Sequence, residues 1–171
     1  MSSTIFTPFT EEQLIPKEEK LEVLKKGKKF SIGIPKETCL HEKRLCITPD
    51  AVQVLVEHGH DIILEAGAGE GSFFTDLQFS EAGAQITTSQ AEVYGQDLVL
   101  KINPPTEEEM EYLKPNAYLV SALQINLRDK DYFKKLAEKK VNAIAFEFIV
   151  DEYKQLALVR LVGEIAGTVD R

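Results

Sequence analysis

The chain has 171 residues, 43% hydrophobic and 28% charged, which is the composition of one globular domain with room for an added arm. Its net charge of −8 argues against nucleic acid as a partner, no apolar run approaches the length of a membrane span, and the first residues lack the basic start and apolar block of a signal peptide. Two cysteines, Cys39 and Cys46, make no disulfide framework and read as reduced thiols of a cytoplasmic protein.

Residues 1–29 read as an accessory arm. Glu and Lys dominate it, Leu14, Leu21 and Leu24 are sparse apolar points, and a short helix is expected from about residue 16 to 24. From Lys29 strands and helices alternate. A first strand is expected over 30–34, ended by Pro35. Thr48-Pro49-Asp50 opens a helix, with Thr48 as N-cap and Pro49 in the favoured first turn. Val52, Leu55 and Val56 form its apolar stripe, and Gly59 stops it. A second strand is expected over 61–65, with helical patterns around 75–82 and 89–94. Leu98, Val99 and Leu100 form an apolar run that suits a strand covered on both faces. Thr106 and three glutamates start a capped helix that runs to Leu113. A strand over 117–122, a helix over 129–139 and a strand over 141–146 complete the pattern. Strands spaced by single helices imply an α/β fold with a doubly wound, mostly parallel sheet, Rossmann-like or flavodoxin-like.

Lys101 interrupts the third apolar run, and Pro104 and Pro105 forbid its continuation, since proline has no N–H for the ladder. The lysine is therefore placed at the carboxyl end of a central strand, the edge where open α/β sheets bind ligands. A buried ammonium there needs an anion, a carbonyl or water beside it. The densely charged stretch 35–44 fills the gap between the first strand and the first helix. A loop over the same edge would bring Arg44 beside Lys101, and a guanidinium fork matches a carboxylate. Two cations facing one small pocket imply a small carboxylic acid as ligand; the plainer alternative is a solvated charged loop.

Two other motifs carry less. Gly67-Ala-Gly-Glu-Gly-Ser72 follows a strand as a dinucleotide loop does, but serine stands where the third glycine belongs and no amphipathic helix starts at once. Glu92 is a weak candidate for the adenosine-binding acid. A turn that needs positive φ is the better reading of this loop. His58 and His60 flank the helix stop, with no acidic or cysteine partner at a metal spacing, so no metal site is expected.

Taken in order, Pro35-Lys-Glu, Glu42-Lys-Arg44, Thr48-Pro49, Gly67-Ala-Gly-Glu-Gly-Ser-Phe73 with Asp76, Ala82-Gly-Ala84, Asp97-Leu-Val-Leu-Lys101 and Glu164-Ile-Ala-Gly167 form a specific set. This set resembles the N-terminal part of the alanine dehydrogenase and nicotinamide-nucleotide transhydrogenase α-subunit family, over about residues 29 to 167. After the arm at 1–29, the resemblance implies a substrate domain over 30–160 and the start of a linker helix at 161–171 toward an NAD-binding domain downstream. NAD would be bound mainly by that domain, so the 171 residues alone are expected to be inactive. It further implies a homo-oligomer acting on a small 2-oxo or amino acid.

By that resemblance Arg44 holds the carboxylate of pyruvate or alanine, and Lys101 contacts the carboxylate and the carbonyl or imine centre. Gln124 stands where alanine dehydrogenases of the family carry a catalytic histidine. Glutamine orients an oxygen by hydrogen bonding but exchanges no proton at neutral pH. At Gly163 a hydroxyl of the family's motif is also lost. Lys101 and Gln124 are thus the residues assigned to the chemistry, Arg44 and Lys101 to the substrate. The implied reaction is alanine and NAD to pyruvate, ammonium and NADH. The alternatives are the nucleotide-handling α subunit of a transhydrogenase and a carboxylate-binding relative without catalysis.

Overall fold

The computed structural model describes residues 28–169, so the arm expected at 1–29 lies outside the described residues except for Lys28 and Lys29. Six parallel strands make one sheet in the order β3-β2-β1-β4-β5-β6. They are β1 (Ser31–Ile34), β2 (Asp61–Glu65), β3 (Gln85–Thr87), β4 (Leu98–Leu100), β5 (Tyr118–Ser121) and β6 (Asn142–Ala145). The helices are α1 (Pro49–Glu57), α2 (Asp76–Glu81), α3 (Gln90–Tyr94), α4 (Glu107–Tyr112), α5 (Lys130–Glu138) and α6 (Ala157–Val169). Strand order runs outward from β1 in one direction and from β4 in the other. That reversal opens a crevice between the carboxyl ends of β1 and β4.

The helices begin where side chains can replace missing backbone partners. Thr48, Thr75, Ser89, Thr106 and Asp129 each accept a hydrogen bond from a first-turn amide. Thr75 with Gln78 and Thr106 with Glu109 complete reciprocal capping boxes. Two buried layers result. Ile32, Ile34, Ile62 and Leu64 of the sheet pack with Val52 of α1 and Phe79 of α2. Tyr94 of α3, Met110 of α4 and Tyr132 and Leu136 of α5 cluster with Val99 and Leu119. Each fully buried aliphatic or Phe side chain contributes about 1.5–3 kcal/mol. The doubly wound parallel sheet expected from the alternating pattern is the fold.

Two differences from the expected elements have plain causes. Strand β3 is three residues of an edge, half exposed, too short to show a period. Helix α6 begins at Ala157 and includes residues 161–169, four residues before the expected linker helix, because its apolar spacing already starts at Leu156 and Leu158.

One close approach fixes how α3 lies on the sheet. A Cβ at Gly33 would collide with the carbonyl oxygen of Val93 and sit 2.9 Å from its carbon. At Gly59, φ is +90° and nothing lies within 4 Å of an added Cβ. Gly33→Ala is therefore expected to destabilise the protein by at least about 2 kcal/mol through overpacking. Gly59→Ala is expected to cost about 1 kcal/mol through backbone conformation alone. Urea midpoints of the two variants check the difference.

Candidate functional site

Over the carboxyl ends of β4 and β5 lies a cleft of about 520 Å³ whose lining includes Arg44, Lys101 and Gln124. Cys46, Asn103 and apolar residues such as Leu100, Val120 and Phe146 complete much of its wall, and Leu158, Val159 and Val162 of α6 close one side. The three residues singled out in the sequence are thus brought to one place, each at a strand end or in the loop above it.

Lys101 follows β4 directly, and its amide continues the ladder to Val120 O at 3.0 Å. It is 2% exposed. Its ammonium lies 3.3 Å from Glu37 Oε2 and 3.6 Å from Glu109 Oε1, both carboxylates nearly as buried. Glu37 is held in turn by the amides of Ile102 at 2.5 Å and Asn103 at 3.3 Å. Glu109 spends one oxygen on the Thr106 amide at 2.8 Å and the other on the Thr38 hydroxyl at 3.1 Å. The expected need of Lys101 for an anion is met twice over. Even so, Nζ makes no hydrogen bond of good geometry among the described residues, which leaves N–H groups to give.

Arg44 is the more open cation. Its Nε and Nη2 donate to the two oxygens of Glu42 at 2.8 and 2.6 Å, and its own amide donates to Oε1 at 3.0 Å. Asn103 Nδ2 adds a fourth donor at 3.1 Å. These contacts, led by the Arg44 side chain, pull the Glu42 carboxyl down to about 2 and raise Arg44 above its ordinary value. The cleft is therefore no bare pair of cations. Two positive groups stand with three carboxylates, Glu37, Glu42 and Glu109, of which Glu37 and Glu42 are linked through Asn103. Sequence reading missed these acids as partners. Glu109 looked only like a helix cap, and the 35–44 stretch was weighed for its cations. The signal available was the requirement that a lysine at a strand end be paired.

Gln124 sits in the left-handed region, φ 50° and ψ 49°, which is strained for a residue with a Cβ. Its backbone N–H donates to Glu147 Oε1 at 2.9 Å, a contact that holds the turn after β5. Burial pushes the Cys46 thiol up to about 12, and Sγ points to Leu100 O at 3.4 Å, so this wall of the cleft is a protonated, unreactive thiol. The Tyr94 phenol, also buried, is raised by burial first and by the Glu109 carboxylate second.

The glycine loop has its own work. Gly67 has φ +73°, as the turn reading requires, and its amide donates to both oxygens of Asp76 at 2.9 and 3.1 Å. A Cβ at Gly69 would lie 2.7 Å from Phe74 O, and one at Gly71 would lie 2.8 Å from Lys43 O. The space these glycines free is filled by the chain itself, so the loop does not fit a dinucleotide pyrophosphate. Ser72 Oγ donates to Lys43 O at 2.7 Å, and the loop thereby supports the stretch that carries Arg44. His58 closes on Val54 O and His60 accepts the Phe30 amide, each in a structural contact. Among the described residues no group of three or more His, Cys, Asp or Glu could hold a metal, and no helix is long and apolar enough to cross a membrane.

Residues 33–166 match the family model described as alanine dehydrogenase/PNT, N-terminal domain. The chain is 41% identical over 136 residues to an alanine dehydrogenase of Staphylococcus saprophyticus, an alignment covering 80% of this chain and 36% of that protein. A solved L-alanine dehydrogenase superposes with a TM-score of 0.72 at 29% identity, over 75% of this chain and 36% of the other. The transhydrogenase from Sinorhizobium meliloti superposes with a TM-score of 0.65 at 26% identity, over 70% and 35%. The chain thus spans little more than a third of the length of the relatives it matches.

The two cations should answer differently to removal. Lys101→Met leaves two buried carboxylates uncompensated and is expected to cost about 3–5 kcal/mol. Arg44→Met, at an exposed side chain, is expected to cost no more than about 1 kcal/mol. Urea unfolding at neutral pH distinguishes them. Because the folded value for Glu42 is depressed, its ion pair contributes stability that is fully present above 4.5 and lost as pH falls toward 2. Glu42→Gln should flatten the stability–pH curve in that window.

Proposed function

The chain belongs to the alanine dehydrogenase/PNT N-terminal domain family, and on that premise we propose that it is the substrate-binding part of an alanine dehydrogenase-like oxidoreductase. The reaction is the interconversion of alanine and water with pyruvate and ammonium, in which NAD takes up the hydride, water supplies the carbonyl oxygen and a proton is released. The observation that carries this reading is the meeting of Arg44, Lys101 and Gln124 in one cleft at the carboxyl edge of the sheet. Residues 30–160 form the substrate domain in this reading, and α6 leads toward the cofactor. NAD is held mainly by a further domain in this reading, which agrees with a glycine loop filled by its own chain.

Each residue has a task that its surroundings suit. Arg44 is permanently charged and takes the substrate carboxylate. Lys101, whose ammonium keeps N–H groups to give, donates to the carboxylate and to the neighbouring carbonyl or imine centre. Gln124 orients that centre by hydrogen bonding and moves no proton. The apolar wall from Leu100, Val120 and Phe146 excludes water from the other side of a small 2-oxo or amino acid. Cytoplasmic location and assembly into a homo-oligomer go with this reading.

A second reading rests on Gln124. A site whose central polar residue exchanges no proton suits the nucleotide-handling α subunit of a transhydrogenase, or a relative that binds a carboxylate without turnover. Calorimetric titration of the complete enzyme, this chain together with its NAD-binding part, with pyruvate in the presence and absence of NADH separates the three. Alanine dehydrogenase activity requires pyruvate binding that is strengthened by NADH, followed by turnover with ammonium. A transhydrogenase subunit binds nucleotide and ignores pyruvate. A binding relative takes pyruvate with no turnover. In the complete enzyme Lys101→Gln should abolish turnover, and Gln124→Leu should raise KM more than it lowers kcat. The 171-residue chain alone should reduce no NAD with alanine, which absorbance at the NADH band checks.

A further inference from the structure

Glu42 stands beside the cleft with no task in the proposed reaction, although it is the best-satisfied of the three carboxylates there. Four N–H groups converge on it: Arg44 Nε, Nη2 and backbone N, and Asn103 Nδ2. Its side chain is 10% exposed while that of Arg44 is 62% exposed. A guanidinium has five N–H groups in a planar fork with two carboxylate-sized edges. The Nε–Nη2 edge is taken by Glu42. Nη1 and the second N–H of Nη2 make no hydrogen bond among the described residues, so the Nη1–Nη2 edge is left whole.

Resting on the reading of Arg44 as carboxylate binder, we propose that Glu42 is the positioning residue that locks the Arg44 guanidinium by one edge and so presents the other to the substrate carboxylate. An unheld arginine side chain samples many rotamers, and holding it beforehand removes that cost from binding. Asn103 extends the arrangement. Its backbone N–H donates to Glu37 and its side-chain amide to Glu42, so the acid that holds Lys101 and the acid that holds Arg44 share one residue. The two cations are therefore set relative to each other before any substrate arrives.

The sign of one substitution separates this from simple electrostatics. Removing a negative charge beside Arg44 should by charge alone tighten an anion. Positioning requires the opposite. Titration of the complete enzyme with pyruvate should show Glu42→Gln weakening binding about tenfold, the scale of one charged hydrogen bond. Arg44→Ala should weaken it at least as much, and millimolar guanidinium chloride should restore a large part of that loss. The double variant Arg44→Ala/Glu42→Gln should show no rescue, because the carboxylate that docks the free cation is gone. In wild-type protein the Arg44 Nε–H resonance should be resolved and slow to exchange, and in Glu42→Gln it should be lost. Unchanged or tighter pyruvate binding in Glu42→Gln, with Arg44→Ala still impaired, overturns the positioning role alone. An Nε–H signal that persists in Glu42→Gln, or guanidinium rescue of the double variant, also overturns it. Arg44→Ala with unaltered pyruvate binding sinks the carboxylate reading of Arg44 as well.

Discussion

An ammonium at the end of an inner strand of a covered sheet has no water to turn to, and the arrangement around Lys101 follows from that single requirement. Glu37 comes from the segment after β1 and Glu109 from the first turn of α4, so the ion cluster joins three elements distant in sequence. Each acid is fixed by amides or a hydroxyl of its own, which the cluster needs because buried ions are tolerated only when their remaining lone pairs are also satisfied. Glu37 draws the start of the 35–44 stretch down over the strand ends. Thr38, bound to Glu109, continues it. The path of the chain to Arg44 is set from that anchorage, with the glycine loop supporting it from below through Ser72. What looks like a surface loop of alternating charge is thus tied down at both ends.

The fold was legible because its signals are local. Pro49 after Thr48, the Thr106–Glu109 box and the apolar runs at 62–64 and 98–100 each state an element without reference to anything far away. Strand β3 was not legible, since three half-exposed edge residues carry no period. In the site, Lys101 and Arg44 stood out as cations at a strand end and in a long loop, and Gln124 through the resemblance. The acids did not stand out. Glu109 has a sufficient local explanation as a cap, and nothing local tells that its second oxygen turns inward to a lysine eight residues back. Glu42 looked like one charge among many until its position 2.6–3.0 Å from Arg44 was seen. Partnership across the sheet is a three-dimensional property, and charge counting along the chain treats a paired ion and a free one alike.

The glycine loop shows how a motif can be real and its usual meaning absent. Spacing of glycines records where a side chain has no room. It does not record what took the room. At Gly69 and Gly71 the neighbour is the chain's own backbone, at Phe74 and Lys43. The same pattern that in other folds admits a phosphate here admits another loop.

The seam between β1 and β4 also sets an order of events for the chain as it folds. Ile32 pairs with Ile62 on one side and with Leu98 on the other, so the second closure spans roughly twice the sequence of the first. Loop-closure entropy rises only by about 0.6 kcal/mol per doubling, but contacts of larger separation form more slowly. The half sheet β3-β2-β1 with α1 and α2 has its own buried cluster and can condense around it. Until β4 joins, Glu37 and the residues that follow it remain a hydrated strand end with no lysine to hold. The charged crevice draws Arg44 from one half and Lys101 from the other, and it exists only once both are in place.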